Sequence, residues 1–591
     1  MTRARLWPAV VTGWTLAAAV LTLVAAPAIA NLWFPDPDDA MRLLEVRDWL
    51  AGQSWWDVSQ HRLWGGGFAM HWSRLVDLPL ALVILLLDPI VGQLAAGRVA
   101  MVAVPLATLL VVMALVARLT ATLGGIERAR LAVLLTALSP PIVYQIRPMR
   151  IDHHGWQVAL ALAAVAALVA RPTWRSGALA GACLGALVTV SLEGLPITAA
   201  ILGVALLAWV YAPDRRDQAL AMTAALLASV VALHVATRGP GMFAAACDAI
   251  APVWIAALAL SCTGVAATLL IAPAARALRI AGLAGAAVAG AAMLRLAAPI
   301  CTRGPFATLD PLVYRLWYSN VAEGLPAWQQ LPASAVMAYA LPLVGLGGAI
   351  VAWRASTGDA QVRWAMMAAI AAAALSFSLL IIRGAATANA LALPGAAWLL
   401  LGWLTRARSV RHAGLRTAAT AAAFLGAAPG LAGVLLAPPD PTPPPNGARI
   451  AGGTPLRWCD RGHEIGDLAA LPAGRIFAPL DVTPAMVATT GHQGIGAGYH
   501  RNVAAIHRVM ATFLATPDAA RASVLASGAR YVAGCPGDNE TQRYRQLAPD
   551  GFWARLERGE RFDWLEPIAV PGSPVLAWRV VRPLPREGGH P

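Results

Sequence analysis

The chain has 591 residues, 58% of them hydrophobic and only 13% charged, a composition suited to a lipid solvent and not to a water-soluble protein of this size. Its formal net charge of +14 does not mark a nucleic-acid binder, because the cations are scattered between apolar runs and not gathered on one polar face. All of those cations are arginines, since the sequence contains no lysine, and their placement reads as a topology signal.

Apolar stretches close to the roughly 20 residues that cross a bilayer core recur along the chain. They predict spans near 7–31, 99–117, 131–146, 155–170, 176–192, 196–212, 218–236, 251–272, 280–299, 334–353, 364–382, 386–404 and 417–437, about thirteen helices. The APAIA at the end of the first stretch resembles a cleavage site, but the run before it is long for a signal peptide, so a retained helix is expected. The stretch 76–97 is apolar too, yet Asp77, Asp88, Pro89 and Arg98 punctuate it, and it reads as a helix lying at the membrane surface. With the N-terminus inside, seventeen arginines fall on short inner segments and twelve on the longer outer ones within 1–437, as the positive-inside rule requires. Acids go the other way: Glu127, Asp214, Asp217 and Asp359 are inside and thirteen are outside. Any chemistry is therefore expected on the outer side, which carries a first loop over 32–78 and a long loop over 300–333.

After the membrane part, 1–437, a Pro-rich linker occupies 438–449. Residues 450–591 mix short apolar runs with turn signals such as PGD and PGSP, and predict a small mixed α/β domain in the periplasm. The six cysteines lack metal-ligand spacing; Cys459 with Cys535, and Cys247 with Cys301, are candidate disulfide pairs in an oxidising compartment.

Four outer segments hold the candidate chemistry. In PDPDDAMRLLEVRD, Asp36, Asp38 and Asp39 crowd together where the chain leaves the bilayer. Such carboxylates repel unless a cation compensates them, and hard divalent ions take oxygen ligands, while Asp is also favoured at a helix N-cap. Both readings stay open. In YQIRPMRIDHHGWQ, Asp152 and His154 are spaced to converge on one ion, with His153, Arg147 and Arg150 beside them at a bundle mouth. Glu193 in VSLEGLP and Glu323 in NVAEGLP lie at outer helix ends or in the long loop. Arg383 in LLIIRGAATANALALPG sits at the outer boundary, where a guanidinium fork suits a phosphate and also simply snorkels to headgroups.

This layout and these motifs resemble the GT-C glycosyltransferases, and within them the catalytic subunit of oligosaccharyltransferases. The resemblance implies a polytopic α-helical fold with a C-terminal soluble domain outside. PDPDDAMRLLEVRD looks like the family's first acidic motif, whose Asp holds the metal and faces the acceptor; spacing to Arg47 carries that role to Asp38, with Asp36 and Asp39 as rivals. RIDHHG looks like the second acidic motif, of the Asp-x-His kind, giving Asp152 and His154, and NVAEGLP resembles the Ser-Val-Ser-Glu-like motif of the fifth loop, giving Glu323. Arg383 stands where an Arg contacts the donor phosphate, with Arg150 and Arg74 as further donor-binding candidates. The family's Trp-Trp-Asp motif is missing from the C-terminal domain; Trp55, Trp56 and Asp57 spell it only in the first loop. GYHRN, with His500 and Arg501, is that domain's most polar cluster.

The resemblance implies an inverting transfer of a sugar from a polyprenyl phosphate or diphosphate to a glycan, protein or lipid acceptor. A divalent ion, manganese or magnesium, would be held by Asp38, Asp152 and His154, and Asp38 or Glu323 would orient the nucleophile. A transporter or flippase of lipid-linked sugars, or a metal-independent polysaccharide polymerase or ligase, are the alternative functions.

Overall fold

The computed structural model describes residues 2–65, 67–304, 306–437 and 464–581; the linker 438–449 and Cys459 lie outside the described residues. These residues pack as two compact units. One holds 2–24, Trp72–Ala307 and 321–437, and the other holds Ala25–His71, Thr308–Asn320 and 464–581.

The first unit is helical because its sequence is continuous apolar helix-former punctuated by Gly and Pro. Each apolar stretch falls on helix. Among the described residues nine helices are long and apolar enough to cross a membrane, or eleven if each of two bent pairs is one span. The bends, 66° between Ile126–Ala137 and Pro140–Ile146 and 88° between Ala413–Ala427 and Gly430–Leu436, fall at Pro140 and Pro429, which cannot donate into the preceding turn. Two further apolar helices, His154–Leu168 and Trp174–Val190, are shorter. The stretch from 76 is a separate helix, Asp77–Val91, that ends at Gly92 with φ 80°. At 15 residues it rises about 22 Å, short of the roughly 30 Å hydrocarbon core. Exposed Leu82, Leu85, Leu86, Leu296 and Leu435 are what a lipid solvent accepts and water does not.

With lipid outside, helix association depends on close packing and not on water exclusion. Helix Trp174–Val190 meets Arg216–Arg238 through Gly177, Gly181 and Gly185, one turn apart, where an added Cβ would lie 2.1 Å from Gln218 O, 2.1 Å from Met222 O and 2.6 Å from Ser229 Cβ. Helix Pro332–Arg354 meets Ala385–Arg408 in the same way at Gly345, Gly348 and Gly395. A disulfide joins Cys247 to Cys301, one of the two pairings open from sequence. Cys535 is also disulfide-bonded.

The second unit is built on a five-stranded sheet. Strands β1 (Ser59–Gln60) and β2 (Phe68–Ala69) form a separate antiparallel ribbon. Strands β3 (Arg475–Phe477), β4 (Gln493–Gly494), β5 (Tyr531–Gly534), β6 (Leu565–Ile568) and β7 (Leu576–Val580) lie in the order β4-β3-β5-β7-β6, with β4, β3 and β5 parallel and β7 antiparallel to both its neighbours. The sheet falls in the C-terminal region expected from sequence to be mixed α/β, but the unit around it also takes in Ala25–His71 and Thr308–Asn320, which the sequence reading gave to outer loops of the membrane part. Its core stacks Phe477, Phe513, Phe552, Trp553 and Trp564, and takes in Val313 and Leu316 from the long loop. Asp310 caps the short helix Pro311–Leu316 and also meets His507 Nδ1 at 2.9 Å. The first-loop residues are tied in by arginines: Arg47 donates to Ala488 O, and Arg62 to the carbonyls of Val487, Thr490 and His492.

Behind β3 and β5, the buried Glu540 carboxylate accepts from the N–H groups of Leu480 and Asp481 and from the Tyr544 hydroxyl. Burial and the neighbouring Asp481 push its carboxyl up to about 8.

Two predictions arise here. Gly181→Val forces a side chain onto the Met222 backbone and costs about 1–3 kcal/mol, lowering the melting temperature in detergent. Gly203→Val, where no atom lies within 4 Å of the added Cβ, is the matched control and leaves it unchanged. For Glu540, the folded chain keeps a proton that the unfolded chain releases near the ordinary carboxylate value, so stability falls as pH rises from about 4.5 to about 8. Melting curves across that range detect the slope, and Glu540→Gln removes its share of it.

Candidate functional site

The site in the first unit is assembled from four short turns, each leading into or out of an apolar helix. The first runs from 147 to 153. Pro148 stops helix Pro140–Ile146, Met149 takes the left-handed φ of 72°, and its N–H donates to Met101 O at 2.8 Å, pinning the turn to helix Gln93–Gly124. A non-glycine residue held there is backbone strain that the surrounding packing must maintain. The turn delivers Arg150, Asp152, His153 and His154 as four consecutive-range buried polar side chains.

Asp152 Oδ1 accepts from the His153 backbone N–H at 2.6 Å and faces His153 Nδ1 at 2.5 Å; Oδ2 lies 3.2 Å from His154 Nε2 and 4.0 Å from Arg150 Nη2. On its far side the His154 ring meets Gln157 Oε1, 3.1 Å from Nδ1. Arg150 Nε donates to Gln145 Oε1 at 3.4 Å, and its guanidinium stands 5.5 Å over the Tyr144 ring. One ligand atom from each of Asp152, His153 and His154 lies within 4.8 Å of the others. Carboxylate and imidazole donors, gathered this closely and buried, are the set a divalent transition ion accepts.

Three more turns complete the site: Leu192–Gly194, Ala322–Gly324 and Ile382–Gly384 present Glu193, Glu323 and Arg383. The Ile382 N–H donates to Leu325 O at 3.2 Å and ties the last two together. Arg383 spreads its fork, donating from one Nη to Glu193 and from the other to Glu323. Glu193 Oε2 reaches His153 Nε2 at 3.7 Å, and Glu323 Oε2 reaches Arg150 Nη2 at 3.8 Å. The result is a closed ring of alternating charge running through Asp152, His153, Glu193, Arg383, Glu323 and Arg150. Burial would lower His153, but Asp152 and Glu193 together push the imidazole up to about 9. Burial would raise Glu323, but Arg383, His154 and Arg150 together hold it below the usual carboxylate range.

Six of the residues singled out in the sequence thus meet in one place, with His154 at its edge. Arg74 is buried and pairs with Asp77 at 3.3 Å at the start of helix Asp77–Val91. The first-loop acids belong to the other unit and divide their roles there. Asp36 is the N-cap of helix Pro37–Leu50, accepting from the Asp38 N–H; Asp38 is half-buried in the first turn and Asp39 fully buried. In the same unit Arg501 donates to the carbonyls of Ala69 and Met70, and the His500 ring lies 4.9 Å from that of His71. Asp57 of the Trp55-Trp56-Asp57 string accepts from the Ser59 N–H at 2.9 Å, a turn-forming bond. Sequence reading missed Gln145, Tyr144 and Gln157. Only Gln157 carried a signal, three residues after His154 on one helix face.

Many apolar helices with a buried acid–imidazole–arginine site at their ends define a polytopic helical membrane protein. Among the solved structures it resembles are those of the oligosaccharyltransferase AglB from Archaeoglobus fulgidus. The chain covers 98% of itself and 75% of that protein in a complex with an inhibitory peptide and a dolichol-phosphate, at TM-score 0.64 and 14% identity. It covers 94% and 73% in the apo form at TM-score 0.61 and 14% identity, and 96% and 73% in the complex with zinc and sulfate at TM-score 0.57 and 15% identity. At such identity the likeness establishes the fold. No protein-family model and no curated protein matches the sequence.

Because Arg383 and Glu323 are only partly exposed, their pairing should be measurable. A double-mutant cycle of Arg383→Ala and Glu323→Gln, read by chemical unfolding in detergent, is expected to give a coupling of about 1 kcal/mol, the solvent-screened value for such a pair.

Proposed function

We propose that the chain is a membrane glycosyltransferase that moves a sugar or oligosaccharide from a polyprenyl-(di)phosphate donor to an acceptor on the periplasmic side of a bacterial inner membrane. Counting both bent pairs and the two shorter apolar helices as spans gives thirteen crossings, with the 450–591 domain periplasmic. The arginine asymmetry of the loops supports that orientation. The observation that carries the reading is the charge ring: a buried carboxylate–imidazole cluster joined to two guanidinium groups, on an oligosaccharyltransferase fold. The similar archaeal enzyme has been solved with a dolichol-phosphate, with an acceptor peptide containing an NVT sequon, and with zinc and sulfate. A polyprenyl phosphate, an acceptor nucleophile and a divalent ion are the corresponding ligands proposed for this chain.

Asp152 and His154 would hold the ion, with His153 beside them as the partner of the Asp152 carboxylate. A manganese or magnesium ion held there would place positive charge against the leaving phosphate. The remaining steps are those of side chains. Arg383 and Arg150 donate to the phosphate oxygens as the glycosidic bond lengthens and negative charge develops on them. In this structure both guanidiniums face Glu323, so the phosphate takes the place of that carboxylate. Glu323, once released, is available to orient the acceptor and take its proton. Attack from the face opposite the phosphate inverts the anomeric centre. The acceptor remains a glycan, protein or lipid, because the Trp-Trp-Asp motif that would specify a sequon is missing from 450–591. The polar residues stand at helix ends and not in mid-helix breaks, which favours a transferase over a transporter.

The test is turnover by the purified protein with lipid-linked sugar from envelope extracts. Chelation is expected to stop transfer and manganese to restore it, while Asp152→Ala and Arg383→Ala each lower it by about 100-fold or more. Transfer that continues undiminished in chelator would rule out the metal.

A further inference from the structure

We infer that Gln157 is a positioning residue of the metal centre, fixing the tautomer of His154 so that Nε2 and not Nδ1 is presented for coordination. The inference rests on the metal reading above. A neutral imidazole has one N–H and one lone pair, so its two nitrogens need one acceptor and one donor, or one acceptor and a cation. Here both partners are oxygens: Gln157 Oε1 lies 3.1 Å from Nδ1, and Asp152 Oδ2 lies 3.2 Å from Nε2. If the proton is on Nδ1, donated to Gln157, the Nε2 lone pair and a carboxylate oxygen converge at 3.2 Å. Two acceptors at that distance repel unless a cation stands against both, which is the geometry of two ligands sharing one ion.

The alternative is for the Gln157 amide to turn round, donate its NH2 to Nδ1, and leave Nε2–H to close on Asp152. That arrangement would use up the ligand pair. Asp152 does not need the His154 proton, because its other oxygen already takes the His153 backbone N–H and faces His153 Nδ1, with Arg150 near Oδ2. The Gln157 Nε2 is buried and has no hydrogen-bond partner in the structure, so the side chain is placed here for what its oxygen does. Its position follows from the helix: three residues beyond His154, in the first turn of His154–Leu168, its Oε1 reaches the Nδ1 edge of the ring, while Asp152 faces Nε2. A second group that takes the spare N–H of a ligating histidine both orients the ring and raises its basicity.

Glutamate can only accept at this position, whereas methionine has nearly the same shape and no strong acceptor. The experiment is manganese binding to the full-length protein in detergent, read by electron paramagnetic resonance of free Mn(II), for wild type, Gln157→Glu and Gln157→Met. Melting curves in chelator check that all three are folded. The expected result is saturable binding by wild type, equal or tighter binding by Gln157→Glu, and affinity lowered about 10- to 100-fold in Gln157→Met. Binding by Gln157→Met as tight as wild type, or by Gln157→Glu as weak as Gln157→Met, overturns the role of Gln157 and leaves the metal centre standing. No manganese binding by wild type overturns the metal reading and this inference together.

Discussion

A carboxylate withdrawn from water must be met by charge or hydrogen bonds, and Asp152 is withdrawn almost completely, with its side chain 1% exposed. The backbone N–H of His153, the rings of His153 and His154, and the Arg150 guanidinium all turn toward it. Once they do, their own remaining polar atoms have to be met in turn. His153 Nε2 faces Glu193, Arg150 faces Glu323, and a single arginine, Arg383, joins the two glutamates. The local backbone accommodates this: Met149 sits in a left-handed conformation, two short turns run straight into helices Leu195–Tyr211 and Ala385–Arg408, and a third, Ala322–Gly324, lies in the long loop, each bringing in its charged residue.

The ring's net charge explains what it can receive. With His153 protonated, three cations balance three carboxylates, and the site is neutral as it stands. A divalent ion alone would leave it cationic, and a phosphate alone would leave it anionic. Together they nearly cancel, and this is the combination a lipid-linked sugar phosphate and its ion would bring. Since Glu323 faces both arginines, a phosphate bound there as proposed would compete with it for the same guanidinium groups.

The helices that hold the four turns are fixed by packing of a kind suited to lipid. Gly177, Gly181 and Gly185 let one backbone lie directly on another, and Gly345, Gly348 and Gly395 do the same for a second pair. The second of these pairs includes the helix that begins at Ala385, two residues after Arg383. Close backbone contact leaves little room for sliding, so the register of the arginine is set by glycines well below it.

The sequence alone determined that the chain lives in a membrane, where its apolar helices fall and that a small α/β domain follows, and it singled out Asp152, His154, Glu323 and Arg383 as candidates for the chemistry. Each of these is written in local composition: a run of apolar residues can only be helix in lipid, and an ionisable residue at the end of such a run is costly enough to need a purpose. Tertiary structure decided what spacing cannot express. Glu193, a solvated helix-end acid on sequence grounds, proved to be half of the Arg383 clamp, because its partner lies 190 residues away. Asp36 became a helix cap while Asp38 and Asp39 did not, a distinction made by one backbone turn. Gln157 and Gln145 gained their roles only when His154 and Arg150 were pointed at them. Hydrogen-bond partners are chosen by distance and direction in the folded chain, and a one-dimensional pattern holds neither.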